Sequence, residues 1–282
     1  MVIVVAEHSG FCFGVKRALD LVAEARRQND APIATLGELI HNPQVVAHLR
    51  QSGVSVISRP AELERGTIVL SAHGVSPELR DQAADRGLDV LDATCPFVER
   101  AQALVRRLRD EGYQILILGD RGHREVIGLL GYAGPGAVVV EGLEDVAGLD
   151  LGPRVGLVVQ TTQEVGQLQA VAGELASRCR ELRVFNTICG ATTQRQESAR
   201  ELARRADLLI VVGGRNSANT SRLRAIGEEV GVETHHVETA DELEAAWFAG
   251  RTIVGVTAGA STPSELTDAV VARIRDLAPD EP

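Results

Sequence analysis

The stretch "LRVFNTICGATTQRQESARELARRA" (residues 182–206) runs from a strand-like segment through a polar turn to Cys189, then into an amphipathic helical pattern. Apolar residues three and four apart mark a helix, and a short β-branched run marks a strand. The same order occurs in "VIVVAEHSGFCFGVKRALDLVAEA" (2–25), around Cys12, and in "LDVLDATCPFVERAQALVRRL" (88–108), around Cys95. With cysteines at 12, 95 and 189, the chain reads as three units of similar length.

The segments downstream of the three cysteines also match. A second strand is predicted at "PIATL" (32–36), "QILIL" (114–118) and "LLIVV" (208–212), ending in the polar loops "GELIHNPQ", "GDRGHREV" and "GGRNSANT". His41, His123 and Ser217 fall at corresponding places in those loops. A helix, a third strand ("VSVI", "AVVV", "THHV") and a fourth ("TIVL", "RVGLVV", "TIVGV") complete each unit. The fourth strands run into "SAHGVSP", "QTTQE" and "TAGASTPSE", which carry His73, Thr161 and Ser261. Strands alternating with helices across short loops predict α/β units built on parallel sheets of about four strands each. In such sheets ligands bind at the carboxyl ends of strands, and the unusual polar residues sit there. The expected units are 13–95, 96–188 and 189–282, arranged with pseudo-threefold symmetry so that the cysteines meet at one centre.

Composition narrows the function. A formal charge of −10 opposes general binding to nucleic acid or to an anionic membrane surface, and 3% aromatic content leaves little for base stacking. "MVIVVAEHSG" lacks a basic leader and reads as a strand, and no apolar run approaches a membrane span. The expectation is a cytoplasmic protein whose cysteines are free, catalytic or metal-binding.

Three cysteines from separate loops fit either an iron–sulfur cluster with one iron lacking a protein ligand, or a three-cysteine zinc site. Cys179, in "ELASRCREL", lacks this context and reads as structural. Near the expected centre lie His41, His73, His123, Thr161, Ser217, Asn219 and Ser261, a set rich in donors and suited to a polyanion. Ser76-Pro77 and Thr262-Pro263 open helices and add free amides, while His8, His48, His235 and His236 read as structural. Glu125 is the one acid placed among the donors. It reads equally as a proton holder and as a first-turn helix acid.

The ordered blocks "GFCFGVKRAL", "HNPQVV", "SAHGVS", "DATCP", "GHREVIGLLG", "QTTQ", "NTICGATTQRQ", "GGRNSANTSRL" and "GVTAGASTP" cover nearly the whole chain. Their sequence closely resembles the 4-hydroxy-3-methylbut-2-enyl diphosphate reductases, the LytB family. The resemblance implies a trefoil of three α/β units around a four-iron, four-sulfur cluster, with strand 1–12 joined to the third unit. It implies cluster ligands Cys12, Cys95 and Cys189. Diphosphate binding would fall to His41, His73, His123, Ser217, Asn219 and Ser261, proton supply to Glu125, and substrate orientation to Thr161. The implied reaction is a two-electron reductive dehydroxylation giving isopentenyl and dimethylallyl diphosphate. No GxGxxG fingerprint is present, so electrons are expected from a ferredoxin- or flavodoxin-type donor.

The chain departs from the family pattern at Arg124, usually proline, at Ala218, commonly serine, and at Gly190, often aromatic. It closes in "LAPDEP", where some members carry a longer tail. These differences bear on substrate choice, so a relative that deoxygenates another allylic or phosphorylated compound is an alternative. So is a non-redox hydro-lyase using the open iron as a Lewis acid. A cluster carrier or sensor would need neither Glu125 nor the anion cradle.

Overall fold

The computed structural model describes residues 1–28 and 30–277; all but the first residue of "LAPDEP" lies outside the described residues. Its strands form three four-stranded sheets, parallel throughout. The N-terminal strand β1 (Val2–Val5) stands apart from the strands next to it in sequence. The first sheet holds β2 (Ile33–Leu36), β3 (Val54–Ile57), β4 (Thr67–Leu70) and β5 (Asp89–Asp92), in the order β3-β2-β4-β5. The second holds β6 (Gln114–Leu118), β7 (Val138–Val140), β8 (Arg154–Val159) and β9 (Glu181–Phe185), in the order β7-β6-β8-β9. The third holds β10 (Leu208–Val212), β11 (Glu233–Val237) and β12 (Ile253–Ala258), and β1 completes it at the edge beside β12.

The three sheets therefore repeat one order, and β1 takes in the third the place that β5 and β9 take in the others. The pairing Val2↔Ile253 through Val5↔Val256 spans almost the whole sequence. The central strands read as unbroken β-branched and leucine runs because helices cover both faces of a parallel sheet. β2, β4 and β10 are buried at every position.

Ten helices lie among the described residues. They are α1 (Phe13–Gln28), α2 (Pro43–Gln51), α3 (Pro77–Asp85), α4 (Pro96–Asp110), α5 (Arg124–Ala133), α6 (Leu143–Ala147), α7 (Val165–Arg178), α8 (Gly190–Ala203), α9 (Ala218–Val230) and α10 (Ser264–Leu277). Each cysteine of the repeat stands just before one of α1, α4 and α8. In the second and third sheets a bare glycine lets the post-cysteine helix come close. A Cβ on Gly156 of β8 would sit 2.6 Å from Leu108 of α4, and one on Gly255 of β12 would sit 2.9 Å from Leu202 of α8. Filling either gap overpacks the core, a change that typically costs about 1–3 kcal/mol.

The chain divides into two compact units, one of Met1–Phe13, His41–Val45 and Gly190–Pro282, the other of Gly14–Ile40 and Val46–Cys189. The first contains the third sheet; the second contains the other two. No helix among the described residues is long and apolar enough to cross a membrane.

Candidate active site

Cys12, Cys95 and Cys189 form no disulfide among the described residues; they are half-buried and placed at the carboxyl ends of the edge strands β1, β5 and β9. Their backbones are held alike. The Cys12 N–H donates to Ala260 O at 3.1 Å, Cys95 N–H to Ala72 O at 3.0 Å, and Cys189 N–H to Thr161 O at 3.0 Å. Each acceptor lies two residues beyond the end of the neighbouring strand (β12, β4 or β8). By this register Thr161 is equivalent to Ala72 and Ala260, and Thr162 is the equivalent of His73 and Ser261. Cys179 has no such setting: it closes α7, and its thiol donates to Leu175 O at 3.2 Å.

In the larger unit, α5 opens on His123, whose Nδ1 accepts from the Glu125 N–H at 3.2 Å. Glu125 is 2% exposed. Thr161 donates to it twice, N–H to Oε1 at 2.7 Å and Oγ1 to Oε2 at 2.8 Å. Burial pushes the Glu125 carboxyl up to about 7 against those two donors, with the nearby charge of Asp120 adding to the rise. The loops carrying Glu125 and Thr161 are braced together. Gln160 Oε1 accepts from Asp120 N–H at 2.8 Å, and its Nε2 donates to Thr162 Oγ1 at 2.8 Å. Gly119 leaves room for this, since a Cβ there would lie 2.8 Å from that Oε1.

His73 joins the group because α5 packs closely on the start of α3. A Cβ on Gly131 would fall 2.7 Å from Ser76, which caps α3. The rings of His73 and His123 meet edge to face, with centroids 5.7 Å apart. Thus Glu125, Thr161, His123 and His73 form one cluster, and Cys189 is bonded to it through Thr161.

The smaller unit carries the remaining polar residues. Ser217 caps α9, its Oγ accepting from Thr220 N–H at 3.3 Å. Asn219 is 3% exposed, and neither its Oδ1 nor its Nδ2 has a hydrogen-bond partner. Ser261 donates through Oγ to His41 O at 2.8 Å, and Cys12 is tied to the adjacent Ala260. Gly214 lies under the loop of His41, where a Cβ would be 2.9 Å from His41 O and 3.1 Å from Pro43. Of the other histidines, His235 stacks on Trp247 at 3.9 Å and His236 Nε2 lies 2.8 Å from Gly213 O.

Two residues escaped the sequence reading. The first is Asn42. It, not His41, supplies the cap at α2, with Oδ1 accepting from Val45 N–H at 3.0 Å. The first loop is one residue longer than its counterparts, and the signal lay in the order Asn42-Pro43, a capping residue followed by proline at the first helical position. The second is Arg195 on α8, 4% exposed, which donates to Gly10 O at 2.7 Å and Ala191 O at 3.0 Å. With Ser198, whose Oγ accepts from His8 N–H at 3.3 Å, it clamps the loop leading to Cys12. The departure at Arg124 also finds a place: the side chain is exposed and its guanidinium lies over Gly37, where a Cβ would collide with Nη1.

The family described as "LytB protein" matches residues 3–275. The chain belongs to the LytB family. It is 48% identical over 278 residues to the 4-hydroxy-3-methylbut-2-enyl diphosphate reductase of Geobacter sulfurreducens, covering 98% of each chain. Against the reductase of the same name from Pelobacter propionicus the identity is 46% over 277 residues, with 98% of this chain and 99% of that one covered. A solved structure, that of the E-1-hydroxy-2-methyl-but-2-enyl-4-diphosphate reductase of Plasmodium falciparum, superposes with a TM-score of 0.93 at 28% identity, over 97% of this chain and 88% of that one. A second, (E)-4-hydroxy-3-methyl-but-2-enyl diphosphate reductase, the terminal enzyme of the non-mevalonate pathway, gives 0.71 at 44% identity, over 98% and 100%.

Proposed function

We propose that the chain reduces 4-hydroxy-3-methylbut-2-enyl diphosphate to isopentenyl and dimethylallyl diphosphate, with Cys12, Cys95 and Cys189 holding a four-iron, four-sulfur cluster. The fold reading that goes with it is three α/β units, 13–95, 96–188 and 189–282 with strand 1–12, in a pseudo-threefold trefoil. Three half-buried cysteines in matching backbone settings fit this group as a donor set. When bound, the cluster supplies an open iron and passes two electrons singly from a ferredoxin- or flavodoxin-type donor. The reaction consumes two electrons and two protons; one proton leaves with the hydroxyl as water and the other is added to carbon.

The observation that carries the proposal is the buried Glu125 carboxyl, raised to about 7 and bonded to Thr161, whose carbonyl accepts the Cys189 N–H. A carboxyl with a pKa near neutrality suits both holding and releasing a proton. A proton on Oε2 donates to Thr161 Oγ1, which turns its own hydrogen toward the substrate hydroxyl. His41, His73, His123, Ser217, Asn219 and Ser261 bind the diphosphate, whose oxygens accept from imidazole, hydroxyl and amide donors. Asn219 supports this part most directly, since its amide is buried with its hydrogen-bonding capacity unused. A cytoplasmic location fits the need for a reducing environment.

The test is anaerobic loading with iron and sulfide, followed by assay with the substrate and a reduced dye. Both five-carbon diphosphates are expected as products. Serine at Cys12, Cys95 or Cys189 is expected to abolish iron binding, while Cys179→Ser keeps it. Turnover without a reductant would replace this reading with a hydro-lyase, and stoichiometric zinc without iron would remove the cluster.

A further inference from the structure

We infer that Asn42 is an additional diphosphate-binding residue, its side-chain amide donating a hydrogen bond to the substrate's anionic end. The inference rests on the proposed function and extends it to a residue outside the set of histidines and serines. The helices after the second strand of each repeat begin alike, on Asn42, His123 and Ser217. Two of these caps already belong to the candidate site. The third stands at the same place in its own repeat.

Asn42 is fully buried. Its Oδ1 is occupied by Val45 N–H at 3.0 Å, which fixes the amide plane at the start of α2. Its Nδ2 has no hydrogen-bond partner. A buried donor left unmatched is costly, so such groups persist where a ligand or water completes them. The missing partner must be an acceptor, because Nδ2 can only donate. An anionic oxygen fits best, since the start of α2 adds its own positive dipole end. Pro43 has no N–H, so the first backbone donor that a helix start would aim at an anion is absent, and the Asn42 amide stands in its place.

The surroundings agree. On either side of Asn42, His41 O accepts from Ser261 Oγ at 2.8 Å, and Pro43 lies against Gly214. Asn42 is thus seated between the loops that carry Ser261 and Ser217, in the same unit as Asn219, the other buried amide with an unused donor. The site calls for a diphosphate oxygen and not a cation, since the atom presented is a donor.

Two variants separate binding from capping. Asn42→Ser keeps a capping oxygen for Val45 N–H and removes the donor; Asn42→Asp keeps the cap and replaces the donor with a negative charge. Binding of inorganic diphosphate to the cluster-loaded chain is measured by calorimetry, with iron content and thermal midpoint taken on the same samples. Asn42→Ser is expected to weaken binding roughly tenfold, and Asn42→Asp by more, with iron content as in the unaltered chain. Should Asn42→Asp fail to fold, Asn42→Ser decides alone. Unchanged diphosphate affinity in Asn42→Ser overturns the inference and leaves the proposed function standing. An unaltered, iron-loaded chain that binds no diphosphate overturns both.

Discussion

Helix α5 starts on a capping histidine, and two residues on the Glu125 carboxyl is buried with both oxygens bonded to Thr161. Helix α9 starts on a capping serine, and two residues on the Asn219 amide is buried with neither end bonded. The two positions are equivalent in their units and are finished differently. At α5 the protein provides the partners itself, and what burial adds is a proton that comes and goes near neutral pH. At α9 the hydrogen-bonding capacity is left open for a ligand or an ordered water to complete. Under the proposed function, one region would serve chemistry and the other binding.

The largest effect expected from breaking this contrast is on turnover. Glu125→Gln keeps acceptor and donor atoms for Thr161 and loses the proton. Turnover with substrate and a chemical reductant should fall by roughly 10²-fold or more, with iron content and diphosphate binding retained. Near-normal turnover would leave Glu125 as a first-turn acid only.

The same substitution has a signature in stability. Burial raises the Glu125 carboxyl from 4.5 to about 7, so between those values the folded chain holds a proton that the unfolded chain has lost. The unfolded state then binds fewer protons, and this group's contribution to stability falls as pH rises through the window and levels off above it. The full penalty is about 3 kcal/mol. Glu125→Gln removes it, so the variant's thermal midpoint should gain on that of the unaltered chain between pH 5 and pH 8. A difference that does not change with pH would mean that the carboxyl is not raised.

At α9 the expectations reverse. Asn219→Ala removes groups that have no partner in the substrate-free chain, so unfolding should show little loss. Diphosphate binding should weaken by roughly tenfold, the scale of one hydrogen bond to a charged group. Calorimetry and chemical denaturation on one preparation measure both. The smallest effect belongs to Ala218, beside the cap. Ala218→Ser adds a hydroxyl at the first position of α9 and should tighten diphosphate binding only a few-fold, roughly 1 kcal/mol or less. No change would show that the diphosphate lies out of its reach.

Much of this was legible in the sequence. "QILIL", "LLIVV" and "RVGLVV" read as strands because buried parallel strands need continuous apolar, β-branched runs, and the structure places them at the residues expected. The cysteine junctions were equally clear, since each joins a strand period to a helix period. Other features depend on contacts that no local pattern encodes. The sequence alone could not pair β1 with β12, at the far end of the chain; only the family resemblance implied that closure. Spacing from the cysteine put His41 opposite His123, because a single extra residue in the first loop moves the cap to Asn42. No local pattern marks Arg195, which is buried on α8 and donates to Gly10 O. Loop-level matching set Thr161 against His73, and the hydrogen-bond register shows the offset to Thr162.

The division between a chemical and a binding region is tested most directly by rate against substrate concentration, for the cluster-loaded unaltered chain, Glu125→Gln and Asn219→Ala under one reductant. The account predicts that the deficit of Glu125→Gln persists at saturating substrate, and that the deficit of Asn219→Ala is overcome by adding more. A Glu125→Gln deficit that vanishes at saturation, or an Asn219→Ala deficit that survives it with an unchanged half-saturation point, would contradict the assignment of the two helix starts.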